Sequence, residues 1–194
     1  MSCFGVRWCM HGMYHGRQNQ GGLRAAYPPL MTLTVRDCTP DDFVRINEIY
    51  NWTIIDNHVS FDTEPYDLAR RQTWWEERAP ELSCLVAELD GRVVGVTYSS
   101  WYRPKVAYRS SMETTVVLDT DELGNGIGSV LLGALLERLI TQGVHVAVAI
   151  IALPNDASVA LHHKLGFRTV GVLEEVGFKG GRYWDTMVLQ RPLT

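Results

Sequence analysis

The stretch Glu122–Leu139, ELGNGIGSVLLGALLERL, joins a glycine-rich turn to an apolar run with helical patterning, which predicts a helix from Ser129 to about Gln142. Gly126-Ile127-Gly128 lets backbone N–H groups approach an anion closely, and a helix starting there adds its positive dipole end. The turn is therefore a candidate phosphate cradle, although a ligand-free glycine turn reads the same way. A nucleotide-hydrolysing P-loop is excluded, because no lysine follows the glycines. A dinucleotide fingerprint fits better at Gly124 and Gly126, with Ser129 at the third glycine. It also expects a ribose-binding acid at the end of the next strand, where this chain reads IIALPND.

Outward from the turn, strand and helix patterns alternate. LTVRDC reads as a strand. TPDDFVRINEIYNWTII reads as a helix with Thr39 at its cap and Pro40 in its first position. TEPYDLARRQTWWEERA predicts a second helix, again opened by proline after an acid. SCLVAEL and RVVGVTYSSW flank Asp90-Gly91, a strong hairpin signal. METTVVL leads into the glycine turn. After the helix come the apolar strand HVAVAIIA, a short helix capped by Asn155 and ended by Gly166, and two closing strands. No repeat or linker divides residues 31–194, which are expected to form one α/β (α+β) domain.

Composition narrows the partners. With 46% hydrophobic and 21% charged residues the chain is globular, and no apolar run nears the roughly 20 residues that span a bilayer. The net charge is -4, and all 22 acids lie beyond residue 30, which disfavours nucleic acid as a partner. Residues 1–30 carry Arg7, Arg17 and Arg24 without an acid and show neither helical nor strand periodicity. They are expected to be a disordered leader or upstream extension, with Met31 as the natural start. Cys9, His11 and His15 there do not make a metal site, since structural zinc needs four placed ligands; no metal is expected. Four scattered cysteines show no disulfide framework, which points to a reducing, cytoplasmic compartment.

The order METTVVL, glycine turn, apolar helix, apolar strand, LPNDASVALHHKLGF resembles the GNAT superfamily of N-acetyltransferases. VSFDTEP, LVAELDGRVVGVTYSSW, AYRSSMETTVVL, GIGSVLL, IIALPNDASVALHHKLGF and VGFKGGRYWD narrow the resemblance to its phosphinothricin and methionine sulfoximine acetyltransferase group, across essentially all of residues 31–194. The resemblance implies a mixed, mostly antiparallel sheet that splays beside acetyl-CoA. It places the pyrophosphate on Gly124, Asn125, Gly126, Ile127, Gly128 and Ser129, and the pantetheine arm along Val116, Val117 and Leu118. Asn155 and Ser158 are implied as further coenzyme contacts, although capping alone accounts for Asn155. Leu123 departs from the Gln or Arg usual in the superfamily, so one side-chain contact to phosphate is lost.

Acetyl transfer to an amine needs a base, a polarised thioester carbonyl and a proton for the leaving thiolate. The resemblance puts Glu113 in the position of the base; a solvated strand-end glutamate is the plainer alternative. The Val116 N–H is the candidate carbonyl donor. His162 is the candidate acid, an imidazolium suited to neutral pH; adjacent His163 must point elsewhere, and a structural helix histidine is the alternative. Phe61, Arg103, Lys105 and Tyr108 are implied on the acceptor side, where a basic pair suits a carboxylate plus a second oxyanion. WYRPKVAY also reads as a solvated turn. Lys179 and Tyr183 are expected either to cover the site or to meet a second subunit, because members of the group are typically homodimers. With no cysteine in the motif region, direct transfer is expected. A non-catalytic acyl-CoA-binding module and a protein N-terminal or lysine acetyltransferase are the alternatives.

Overall fold

A computed structural model describes residues 7–9 and 31–194. The expectations for the leader, including His11 and His15, lie outside the described residues except at Arg7–Cys9, a three-residue strand (β1) against β2. The remaining strands are β2 (Thr32–Asp37), β3 (Cys84–Leu89), β4 (Arg92–Trp101), β5 (Ser111–Leu118), β6 (Val146–Ala152), β7 (Arg168–Lys179) and β8 (Arg182–Pro192). The helices are α1 (Phe43–Ile55), α2 (Leu68–Glu76), α3 (Ile127–Thr141) and α4 (Asp156–Lys164). The sheet runs β1-β2-β3-β4-β5-β6-β8-β7, and every pairing is antiparallel except β5–β6.

Local chemistry sets most boundaries. Asp90 and Gly91 adopt φ of 49° and 83°, the left-handed pair that turns β3 into β4. Both expected helix starts shift. Pro40–Asp42 form a 3-10 turn, and the α-helix begins at Phe43. The Asp42 carboxylate accepts from the Thr39 N–H at 2.8 Å and also pairs with Arg36, which tightens that first turn. In the second helix Pro65 stays outside. Asp67 is the cap, its carboxylate accepting from the Arg70 N–H at 2.7 Å. Asn155 caps α4 by accepting from the Ser158 N–H at 3.1 Å, and Gly166 ends it at φ 84°.

Two apolar layers sandwich the sheet. Leu131, Leu132, Leu135, Leu136 and Leu139 of α3 are at most 1% exposed and pack with Ala147, Ala149, Ile151, Phe167 and Leu189. On the other face Phe43, Ile46 and Ile49 of α1 pack against Cys38, Cys84, Val86 and Val96, with Trp74 and Trp75 of α2 beside them. Those two tryptophans are thus core neighbours. Among the described residues no helix is long and apolar enough to cross a membrane.

The sheet is not closed along its length. β5 and β6 pair only at Ser111–Glu113 with Val146–Val148. Beyond Glu113 they separate, while β6 keeps its pairing to β8 as far as Ala152. The apolar strand HVAVAIIA is not covered on both faces: Ile150 is 44% exposed, because it borders that gap.

Candidate active site

The gap between β5 and β6 opens into a cleft of about 940 Å³. Strand alternation decides which backbone groups face it. The Asp119 N–H donates to the Val94 carbonyl of β4 at 2.8 Å, whereas the Ser110 carbonyl accepts from the His145 N–H on the β6 side. Counting in twos, Val117 and Thr115 face β4, and Val116 and Leu118 turn their N–H and C=O into the gap. A backbone edge inside a sheet is thereby left free to pair with an extended ligand.

At one end of this edge lies the glycine turn. Gly124 and Gly126 take φ of 79° and 80°, and α3 then starts at Ile127, two residues before the expected Ser129. Gly124, Gly126, Gly128 and Ser129 border the cleft, as do Val116, Val117, Leu118, Asn155 and Ser158. Asn125 and Ile127 do not: the Asn125 amide donates to Glu122, and the Ile127 side chain is 1% exposed in the core. Their backbone alone remains available to a ligand at the turn. Two of the acids before the turn, Asp119 and Glu122, are already paired. Arg92 holds Asp119 at 2.9 Å and Glu122 at 2.8 Å, and Arg45 also binds Asp119.

At the other end Glu113 stands on the α1/α2 face, where β5 and β6 part. Among the described residues no hydrogen bond or ion pair offsets its partial burial, which pushes its carboxyl above the ordinary value of 4.5; the Arg103 charge pulls it partly back. His162 approaches from α4, with 3% of its surface exposed. Its Nδ1 lies 2.8 Å from the Ser158 carbonyl, so Nδ1–H donates there and Nε2 carries the lone pair. That Nε2 is buried without a partner, and burial lowers the imidazole below 6.5. The resting ring is therefore neutral near pH 7, which sets a condition on the acid role expected for it.

The acceptor-side residues divide. Phe61 borders the cleft and lies against β7, where a Cβ at Gly177 would come within 2.1 Å of its ring. Arg103, Lys105 and Tyr108 do not border it; they belong to the exposed turn between β4 and β5, with Tyr108 edge-on to Tyr102. Only Arg103 acts electrostatically on Glu113. Tyr50, Tyr98, Asp62 and Thr186 instead line the same cleft as Glu113. The Tyr50 hydroxyl donates to Asp62 at 2.9 Å, and Tyr98 stands 3.5 Å from Tyr50. Sequence gave no signal for them: Tyr50 reads as one more position of a helix face, and Tyr98 as one of a hairpin. Lys179 donates to the Thr53 and Ser60 carbonyls, which ties the β7–β8 hairpin over this wall, while Tyr183 is 60% exposed.

The chain has known relatives. The acetyltransferase (GNAT) family profile matches residues 46–167. Phosphinothricin N-acetyltransferase of Streptomyces coelicolor is 38% identical over 170 residues, 86% of this chain and 99% of its own. The L-methionine sulfoximine/L-methionine sulfone acetyltransferase of Pseudomonas paraeruginosa is 37% identical, covering 82% and 94% of the two chains. Among solved structures, a phosphinothricin acetyltransferase of Sinorhizobium meliloti in complex with AcCoA matches with TM-score 0.79 at 32% identity, over 82% of this chain and 88% of that one. The chain belongs to the GNAT acetyltransferase family and is an acyltransferase.

Proposed function

We propose that this protein transfers the acetyl group of acetyl-CoA to the amino group of a small amino acid or analogue, of the phosphinothricin, methionine sulfoximine or methionine sulfone type. The observation that carries the reading is Glu113: a half-buried carboxylate with a raised pKa, beside a backbone edge that ends at a glycine turn. The names of the relatives support the acceptor class.

The residues present fit acetyl-CoA, since an open β-edge and an anion-accepting turn share one cleft, with His162 in its lining. The coenzyme supplies the acetyl group as an activated thioester. Gly124–Ser129 hold phosphate by backbone N–H groups, with Asn155 and Ser158 across the cleft. Val116, Val117 and Leu118 carry the arm, and the Val116 N–H polarises the carbonyl. The acceptor nitrogen sheds two protons on becoming an amide. Glu113 takes the first. His162, neutral at rest, takes the second at Nε2 and then gives it to the leaving thiolate; the amine attacks the thioester directly, without a covalent acetyl-enzyme. Phe61 lines the acceptor end, and Arg103, on the turn outside the cleft, acts there through its charge on Glu113 and draws the acceptor carboxylate. Lys105 and Tyr108 lie farther out on the same turn.

We also assign a homodimer. Val172, Val176 and Phe178 on β7, with Tyr183 on β8, are 45–60% exposed along the sheet's edge, and a bare apolar edge strand favours pairing with a second copy. Sedimentation should give a dimer for the native chain and a monomer for Val176→Asp/Phe178→Asp; a native monomer overturns this. The free thiols Cys38 and Cys84 support a cytoplasmic setting.

The function is tested by thiol release from acetyl-CoA over a panel of amino acids and the three analogues. Turnover is expected with acceptors bearing a carboxylate and a second oxyanion. Coenzyme binding without thiol release on any amine would instead establish a binding module, and turnover only on peptides a protein acetyltransferase.

A further inference from the structure

Coenzyme A is strongly anionic, yet the cleft offers it little fixed positive charge. The turn Glu122–Ser129 contains no basic side chain, and Leu123 borders the cleft with 56% of its surface exposed. The nearest arginines, Arg45 and Arg92, are committed to Asp119 and Glu122. Among the residues that line the cleft only His58, His162 and Lys164 are basic, and only Lys164 is a permanent cation. Of the two histidines, His162 is held neutral by burial.

The position of Lys164 is fixed by α4. Ala157, Ala160, Leu161 and Lys164 recur at three- and four-residue spacing and all border the cleft, so they form one helix face. Leu161 touches the turn itself, because a Cβ on Gly128 would lie 3.2 Å from its Cδ2. Lys164 follows on the same face, about 4.5 Å farther along the axis, and its side chain is exposed.

The geometry points to Lys164 as the cation that pairs with the coenzyme's pyrophosphate from the α4 side of the cradle, taking the place of a basic residue in the turn. This rests on the acetyl-CoA reading of the cleft. Backbone N–H groups from α3 hold the phosphate oxygens on one side, and the ammonium supplies the full charge on the other.

Calorimetric titration tests it with coenzyme A, dephospho-coenzyme A, which lacks the 3′-phosphate, and pantetheine, which lacks all phosphate. Lys164→Ala is expected to weaken coenzyme A and dephospho-coenzyme A equally, by about tenfold at low salt and less at high salt. Pantetheine binding should not change, and Lys164→Arg should stay near the native affinity. Equal affinities for native protein and Lys164→Ala overturn the inference. So does a penalty that vanishes with dephospho-coenzyme A, which would move the contact to the 3′-phosphate. Native protein that fails to bind coenzyme A at all overturns the acetyl-CoA reading, and this inference with it.

Discussion

Glu113→Gln is expected to lower kcat by roughly 10²- to 10⁴-fold, the usual contribution of a positioned general base, while the KM for acetyl-CoA stays near its native value. Glutamine keeps the shape and removes the charge. Burial has pushed the native carboxyl above its ordinary 4.5, so the ionised form is the costly one inside the fold. For an acid whose folded pKa is raised, stability is greatest below the unfolded value and declines as pH rises through the folded one. The glutamine variant removes that cost, so it should melt no lower than native protein at neutral pH. A rate loss with an unchanged melt then belongs to chemistry. The pH profile carries the second readout. Glu113 acts ionised and His162 acts neutral, so native activity falls on the acid side as each is protonated. Arg103 holds the Glu113 pKa down, so Arg103→Met should move the acid limb to higher pH. A glutamine variant with native rate and native pH profile would remove Glu113 from the mechanism.

The division between what sequence showed and what it hid has a physical basis. Turns and caps are local, so Asp90-Gly91, Asn155 and Gly166 could be read from a few residues, and the structure has them in those roles. Helix starts were read less well. Pro40 and Pro65 both looked like first helical residues, but the carboxylates of Asp42 and Asp67 decide where the α-helices begin. The splay between β5 and β6 came from the family resemblance; no residue in METTVVL or HVAVAIIA announces where pairing stops. The cleft wall is the least legible part. Tyr50, Asp62, Tyr98 and Thr186 come from a helix, a loop and two strands, and only the closed sheet brings them together. Arg103, Lys105 and Tyr108 came as a contiguous motif, yet the turn that carries them stands outside the cleft. His162 shows a further limit. Its residue type suggests an acid; the deep burial that lowers its pKa and the backbone carbonyl at 2.8 Å that fixes its Nδ1–H are not visible in HHKLGF.

Gly128→Val should leave a folded protein that has lost most of its affinity for coenzyme A. Gly128 is buried where α3 begins, and a Cβ there would meet Leu161 Cδ2 at 3.2 Å and Leu118 Cδ1 at 3.3 Å. Both contacts are side chains, so the fold can give way. What gives way is the approach of α4 to β5, which are the two sides of the cradle. Valine adds three heavy atoms to this junction, and overpacking of that kind costs about 1–3 kcal/mol. If the strain is relieved by parting α4 from β5, the same energy appears as a loss in binding of roughly 5- to 150-fold. Gly133, on the same helix, supplies the control. Nothing lies within 4 Å of a Cβ built there, so Gly133→Ala should bind coenzyme A normally and gain about 0.5–1 kcal/mol from helix propensity. Calorimetry and thermal melts on both variants separate the outcomes. Native coenzyme affinity in Gly128→Val would mean that the glycine serves helix packing alone and that the cradle does not depend on the closeness of α4.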